Sequence, residues 1–364
     1  MPTLRSYSIA SAVVIIGYFL YGPPIITWAF GWTPVDTKPR APVGSPGIGI
    51  SLTACYGTVS IRNDDGSFED IGRVDGDQHY LAMMERFSLP SSWHIAPPYS
   101  DLEDMWDDWG RQWLRSTRKM FFLPASSDVR KLSNLTSSLV SLARSHTTLP
   151  IASVVISYPA LPGIFAEDIV DTGLYLSLPV LRGRHSYPPR TMVAAYAGHG
   201  MGLCSPYHDR ERCREEDERF PMRYTLIVDY TSTSVLMHTY WMYGAVDLAR
   251  PTSKRDISTY FLEDADRPLG TKRLGEMVKN LLNEKFKFLS DPPYFPKEMT
   301  VLLAGSTNDI KRDEVQEVVK GAVEEAGFEP MIFDDDPEFI ASRGAAELAW
   351  RALSWPHQNT ELSL

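Results

Sequence analysis

Two stretches of this chain share one pattern: an apolar run, a short turn of small residues, and a second apolar run. The first reads GIGISLTACYGTVSI from Gly47 to Ile61, and the second reads TLIVDYTSTSVLMHTYWM from Thr225 to Met242. Runs rich in Ile, Val and Leu around a polar turn form strand–turn–strand units, and such units open sheets. A chain with two of them, each followed by its own strands and helices, is constrained to an α/β fold made of two related halves.

The elements that follow fit this frame. After the first unit, Asn63-Asp64-Asp65-Gly66 marks a tight turn before a strand at 67–74. Ser100-Asp101-Leu102-Glu103 has the form of a capping box, and it starts a helix with its acids first and Arg111, Arg115, Arg118 and Lys119 last, as the helix dipole favours. Trp106, Trp109 and Trp113 share one face of that helix and are expected in the core. A helix is expected at 127–146, a buried strand at 151–158 and a helix at 165–176. After the second unit come helices at 272–289, 313–326 and 344–353, with strands at 300–303 and 331–333.

Ahead of all this, residues 6–35 carry no charged side chain. Some 20 apolar residues match the hydrocarbon thickness of a bilayer, so residues 1–36 read as a single-pass membrane anchor, with Pro23 and Pro24 interrupting the helix and Trp28, Phe30 and Trp32 at the interface. A cleaved signal peptide is the rival, without a convincing small-x-small site before Trp28. Charges before and after the segment balance, leaving its orientation undecided. Asn134-Leu135-Thr136 is a glycosylation sequon, usable if the domain faces a lumen. Residues 37–46 form a Pro-rich linker.

Acids outnumber bases 46 to 36, for a net charge of −10, which argues against a nucleic-acid partner. His199, Cys204, His208 and Cys213 lie close in sequence, but their spacing fits no compact zinc knuckle. In a lumenal domain a Cys204–Cys213 disulfide is the better expectation, leaving Cys55 as a small buried residue. The charge run from His208 to Glu218 reads as a solvated loop or helix face. No nucleophile elbow or P-loop lysine motif is present.

In order along the chain, five segments resemble the superfamily of actin, heat-shock chaperone ATPase domains and sugar kinases, in particular its fungal chaperone-like branch. Gly49-Ile50-Ser51-Leu52-Thr53-Ala54-Cys55-Tyr56 is similar to the first phosphate loop, and Leu226 to Ser234, with Asp229, to the second. Val301-Leu302-Leu303-Ala304-Gly305-Ser306-Thr307 resembles the adenosine motif. Asp336-Pro337-Glu338 with Arg343-Gly344-Ala345-Ala346 resembles the closing segment, and residues 151–159 with Tyr187 to Arg190 and Ala194-Ala195-Tyr196 the connecting strand and helix.

The resemblance implies two ribonuclease-H-like lobes around a cleft, residues 47–220 and 221–364, the second reduced because little chain separates Asp229 from Ala304. It also implies nucleotide contacts at Ser51, Thr53, Cys55, Asp229, Thr231, Ser232, Thr233, Gly305, Ser306 and Thr307, and no peptide-binding half. Against the family pattern, Ser51 stands where a loop aspartate is usual and Thr53 where a glycine is. Thr231, Ser232 and Thr233 replace a triple glycine, and Pro188 falls where a glutamate is usual. β-Branched residues at positive φ cost about 1–2 kcal/mol, so ATP/Mg binding is expected to be weak or lost. The implied function is a degenerate, membrane-anchored binding or scaffolding module with an unidentified protein partner. The alternative is a working ATPase with shifted ligands.

Overall fold

A computed structural model of the chain describes residues 45–147, 151, 154–178, 188–205, 207, 209–231, 234–245, 257–261, 271–286, 296–306 and 313–353. The expected anchor, the linker up to residue 44, and Ser232, Thr233 and Thr307 lie outside the described residues. Among those described, no helix is long and apolar enough to cross a membrane.

The first sheet holds β1 (Gly47–Leu52), β2 (Tyr56–Arg62), β3 (Phe68–Asp75) and β4 (Val154–Ser157) in the order β3-β2-β1-β4. β1, β2 and β3 form an antiparallel meander, while β4 joins β1 in parallel. The second sheet repeats the scheme with β5 (Arg223–Tyr230), β6 (Ser234–Met242), β7 (Ile257–Phe261), β8 (Glu298–Gly305) and β9 (Glu329–Phe333), in the order β7-β6-β5-β8-β9. Here β7, β6 and β5 are antiparallel, and β8 and β9 continue in parallel. The central strands read as continuous apolar runs because both their faces are covered. β3 is an exposed edge carrying Glu69, Asp70, Arg73 and Asp75, charges that block pairing with another chain. The turn before β3 forms as its sequence implies, with Gly66 at φ +94°.

Parallel pairing requires helical crossovers. Between β3 and β4 run α1 (Gln78–Ser88), α2 (Leu102–Asp107), α3 (Trp109–Met120) and α4 (Ser127–His146). After β4 come α5 (Ala166–Tyr175), α6 (Thr191–Gly198) and α7 (Arg210–Asp217). The second half adds α8 (Thr271–Phe286), α9 (Asp313–Glu325) and α10 (Ile340–Leu353).

Three apolar cores result. Ile48, Ile50 and Leu52 of β1 pack against Met84 of α1, Leu132 and Leu139 of α4, and Ile169 of α5. Leu226 and Val228 of β5, with Val301 and Leu303 of β8, face Leu274 of α8 and Val319 of α9. The alternate residues Ile227 and Leu302 point to the opposite face, where they meet Ala194 and Ala195 of α6 and Ile340 and Ala345 of α10. Two close approaches hold α10 in the middle. A Cβ on Gly49 would stand 2.0 Å from the Ser342 carbonyl, and one on Gly344 would stand 1.7 Å from that of Ala194. α10 thus lies on the first sheet and crosses α6, which packs on the second.

Two expectations need correction. The helix read from Ser100 onward breaks at Asp108 into α2 and α3, and its cap is Asp101, whose carboxylate accepts from the Asp104 N–H at 2.9 Å. The tryptophan stripe is not in the core: Trp106 is 66% exposed and Trp109 38%. The charged face of α3 turns inward instead, because Arg115 is buried between Asp168 and Asp171 of α5.

Candidate functional site

Each hairpin ends in a three-residue turn that begins with threonine, and the two turns are built alike. In the first, the Thr53 N–H donates to the Tyr56 carbonyl at 2.8 Å. The Thr53 hydroxyl donates to that same carbonyl at 2.9 Å and accepts from the N–H of Cys55 at 3.3 Å and of Tyr56 at 3.1 Å. In the second, the Thr231 N–H donates to the Ser234 carbonyl at 2.8 Å, and the Ser234 N–H donates to the Thr231 hydroxyl at 2.9 Å. Register makes the turns equivalent, since Leu52 pairs with Gly57 as Tyr230 pairs with Val235.

The turns meet. Cys55 Sγ lies 3.2 Å from Ser234 Oγ and 3.9 Å from Thr231 Oγ1. Two residues before each threonine sit Ser51 and Asp229, both buried, and neither Ser51 Oγ nor Asp229 Oδ1 has a hydrogen-bond partner. Burial alone pushes the Asp229 carboxyl up to about 7. Asp229 is in the second turn's flanking strand rather than in a cap or turn. The hydroxyl of Tyr80 donates to the Thr53 carbonyl at 2.7 Å. Burial, and secondarily the Asp229 charge, raises the Tyr56 phenol well above its ordinary range. The Arg73 guanidinium covers the Tyr56 ring at 3.9 Å and pairs with Glu338 at 2.7 Å.

Gly305 closes the far end of β8. Its φ is +118°, and a Cβ there would stand 2.1 Å from the Tyr230 carbonyl, so only glycine fits. The Gly305 N–H donates to the Pro337 carbonyl at 3.0 Å, and the Ser306 N–H donates to the Tyr230 carbonyl at 3.1 Å. Gly305 is therefore a packing glycine that seats the closing segment on β5.

Of the sequence-predicted residues, the fold gathers Thr53, Cys55, Thr231 and Asp229 at the junction of the turns, with Ser51 at the equivalent position in β1 and Gly305 and Ser306 beside Tyr230. Sequence reasoning missed Tyr80 and Arg73. Tyr80 carries a helix-periodic signal with Met83, Met84 and Phe87; nothing local marks Arg73.

Among the described residues, the donor set of the two turns does not fit a triphosphate. The N–H groups of Thr53, Cys55, Tyr56, Thr231 and Ser234 are already bonded within their own turns, and the Cys55 side chain is seated against the second turn. Among the described turn residues, Thr53, Ala54, Cys55 and Thr231 have no positive φ, so the strain expected at Thr53 and Thr231 is not found there. Cys55 is half-buried rather than fully buried. Elsewhere Cys204, Cys213 and Asp217 converge, but the two sulfurs form a disulfide and are not metal ligands.

No known protein family matches the sequence, and no curated protein matches it. Among solved structures, the chain is similar to the inorganic polyphosphate/ATP-glucomannokinase from Arthrobacter sp. strain KM, with a TM-score of 0.42 and 12% identity over 84% of this chain and 99% of that one. It is similar to the ROK hexokinase from Thermus thermophilus, with a TM-score of 0.36 and 11% identity over 84% of this chain and 98% of that one. A non-polymerising MamK mutant bound to AMPPNP is similar at a TM-score of 0.42 and 12% identity, over 84% and 99%. Each likeness is weak in both sequence and superposition.

Proposed function

We propose that this chain is a membrane-anchored, degenerate actin-like domain that serves as a binding or scaffolding module, its ancestral nucleotide cleft closed by its own side chains. Residues 1–36 are the anchor, 37–46 the linker, and 47–220 and 221–364 the two lobes, the second reduced. The duplicated sheet topology, with each meander's first strand continuing into parallel strands, supports the two-lobed reading. The Cys204–Cys213 disulfide supports placing the domain on the oxidising side of its membrane. A net charge of −10 supports a protein partner over a nucleic acid.

The observation that carries the reading is the direct contact of Cys55 with Ser234, where two phosphate-holding turns would leave a gap. Titrating the detergent-solubilised full chain with fluorescent ATP and Mg²⁺ tests it. Binding weaker than about 100 μM, roughly −5.5 kcal/mol, is the expected result, and tighter binding overturns it.

One observation favours the second reading, an ATP-binding enzyme with shifted ligands. Ser51 Oγ and Asp229 Oδ1 are orphaned at equivalent positions of the two hairpins, as groups that once faced a shared ligand would be. Under that reading Ser51→Asp with Thr53→Gly strengthens nucleotide binding; no effect of the pair counts against it.

A further inference from the structure

The interrupted α2–α3 helix is amphipathic with its polarity reversed. Arg111 bonds Asp108 and Glu167, Arg115 bonds Asp168 and Asp171, and Lys119 bonds Asp171 at 2.8 Å, so the charged face is held against α5. The apolar face looks outward. Leu102 is 70% exposed, Trp106 66%, Leu114 54%, Met120 64%, Phe121 69% and Phe122 92%. Phe122 also holds φ +56°, a conformation rare for an aromatic residue. Scattered apolar residues on a surface are ordinary, but exposed Trp, Phe, Met and Leu gathered at helical spacing along one interrupted helix mark an interaction surface.

We propose that this face inserts into the lipid–water interface of the membrane that carries the anchor, so that the domain lies on the bilayer instead of swinging above it. The inference rests on the membrane-anchored reading above. Large aromatic rings and Met or Leu on one side of a helix suit the interfacial region, where amphipathic helices lie in the membrane plane. The linker supplies the second argument. Of the linker 37–46, Ser45 and Pro46 are buried in the body, and the eight residues 37–44 span at most about 29 Å when extended, which keeps the body within reach of the bilayer surface. A tether of that length gives an effective concentration on the order of millimolar, so even a weak insertion is well populated. Charge sets the lipid: Asp101, Glu103 and Asp107 are exposed along the first part of the segment against one exposed cation, Lys119, which disfavours an anionic surface and selects zwitterionic headgroups.

The test places an environment-sensitive fluorophore on Phe122→Cys in the full chain, in a Cys55→Ser background. The control probe is on Glu324→Cys, exposed on α9 of the second sheet. Both chains are reconstituted into phosphatidylcholine vesicles whose acyl chains carry nitroxide quenchers. The Phe122 probe loses emission and the Glu324 probe keeps it; adding Trp106→Glu with Phe121→Glu restores the Phe122 signal. An unquenched Phe122 probe on vesicles that retain the chain through an alkaline wash overturns this proposal and leaves the anchor standing. A blue shift without quenching also overturns it, because a protein, a second copy or another partner, then covers the face. Release of the chain by the wash refutes the anchor, and this proposal with it.

Discussion

Cys55 and Ser234, 179 positions apart in the chain, touch through their side chains at 3.2 Å where the two hairpin turns meet. That contact depends on how each turn is closed. A glycine turn leaves its N–H groups pointing outward, free to grip an anion. Here the hydroxyls of Thr53 and Thr231 accept from the N–H groups of Cys55, Tyr56 and Ser234, and the Cys55 side chain lies against the second turn.

The equivalence of the two threonines is testable. Thr53→Ala leaves the Cys55 and Tyr56 N–H groups without their acceptor, and Thr231→Ala does the same to that of Ser234. Each substitution is expected to cost about 1–3 kcal/mol in urea unfolding. A neutral result at both positions would show that the turns are not closed this way.

Much of this architecture is legible in the sequence, and the reason is periodicity. Strands buried on both faces, such as β1, β5 and β8, read as unbroken apolar runs, and helices such as α4, with Leu132, Leu135 and Leu139 inward, read as amphipathic repeats. Cys204 and Cys213 read as a pair for a lumenal domain, and they are bonded. The α2–α3 segment misleads because periodicity reveals an amphipathic helix but not which face meets the protein; that is decided by Glu167, Asp168 and Asp171, more than 40 residues downstream. The site is half legible. Which residues form the turns can be read, but whether a turn is closed by glycine conformations or by a hydroxyl depends on hydrogen bonds that sequence spacing does not show.

The middle of the molecule depends on glycine contact. Gly344→Ala puts a methyl group 1.7 Å from the Ala194 carbonyl, where neither backbone can yield without separating α6 from α10. A loss of about 3 kcal/mol or more is expected, at the upper end of overpacking costs. A methyl group on Gly321 in α9 would meet nothing within 4 Å, so Gly321→Ala should instead gain roughly 0.5–1 kcal/mol from helix propensity. Thermal unfolding of the two variants should therefore move in opposite directions.

Arg115 holds the inverted α2–α3 segment to the body. Arg115→Leu strands the buried carboxylate of Asp168 and leaves Asp171 with Lys119, and breaking such a network from one side costs about 3–5 kcal/mol. Arg212→Leu, which loses only a solvent-exposed pair with Asp209 at 3.5 Å, should change stability by less than about 1 kcal/mol. Equal effects of the two variants in denaturant titrations would refute the buried network as the anchor of this segment.

Asp229 gives the molecule a pH dependence of definite sign. Its carboxyl is pushed up to about 7 by burial in the folded chain, well above its value in an unfolded one. Between about pH 4 and pH 7 the folded state keeps a proton that the unfolded chain has released, so stability falls as pH rises through that window and levels off above it. Asp229→Asn keeps the shape and removes the charge. The variant should be more stable than its parent at pH 8, by up to about 4 kcal/mol, and the two should converge as the pH is lowered toward 4. A variant less stable than the parent at pH 8 would mean that the carboxylate is held by a positive partner. If that deficit appeared only with added Mg²⁺, it would favour the enzyme reading over a closed cleft.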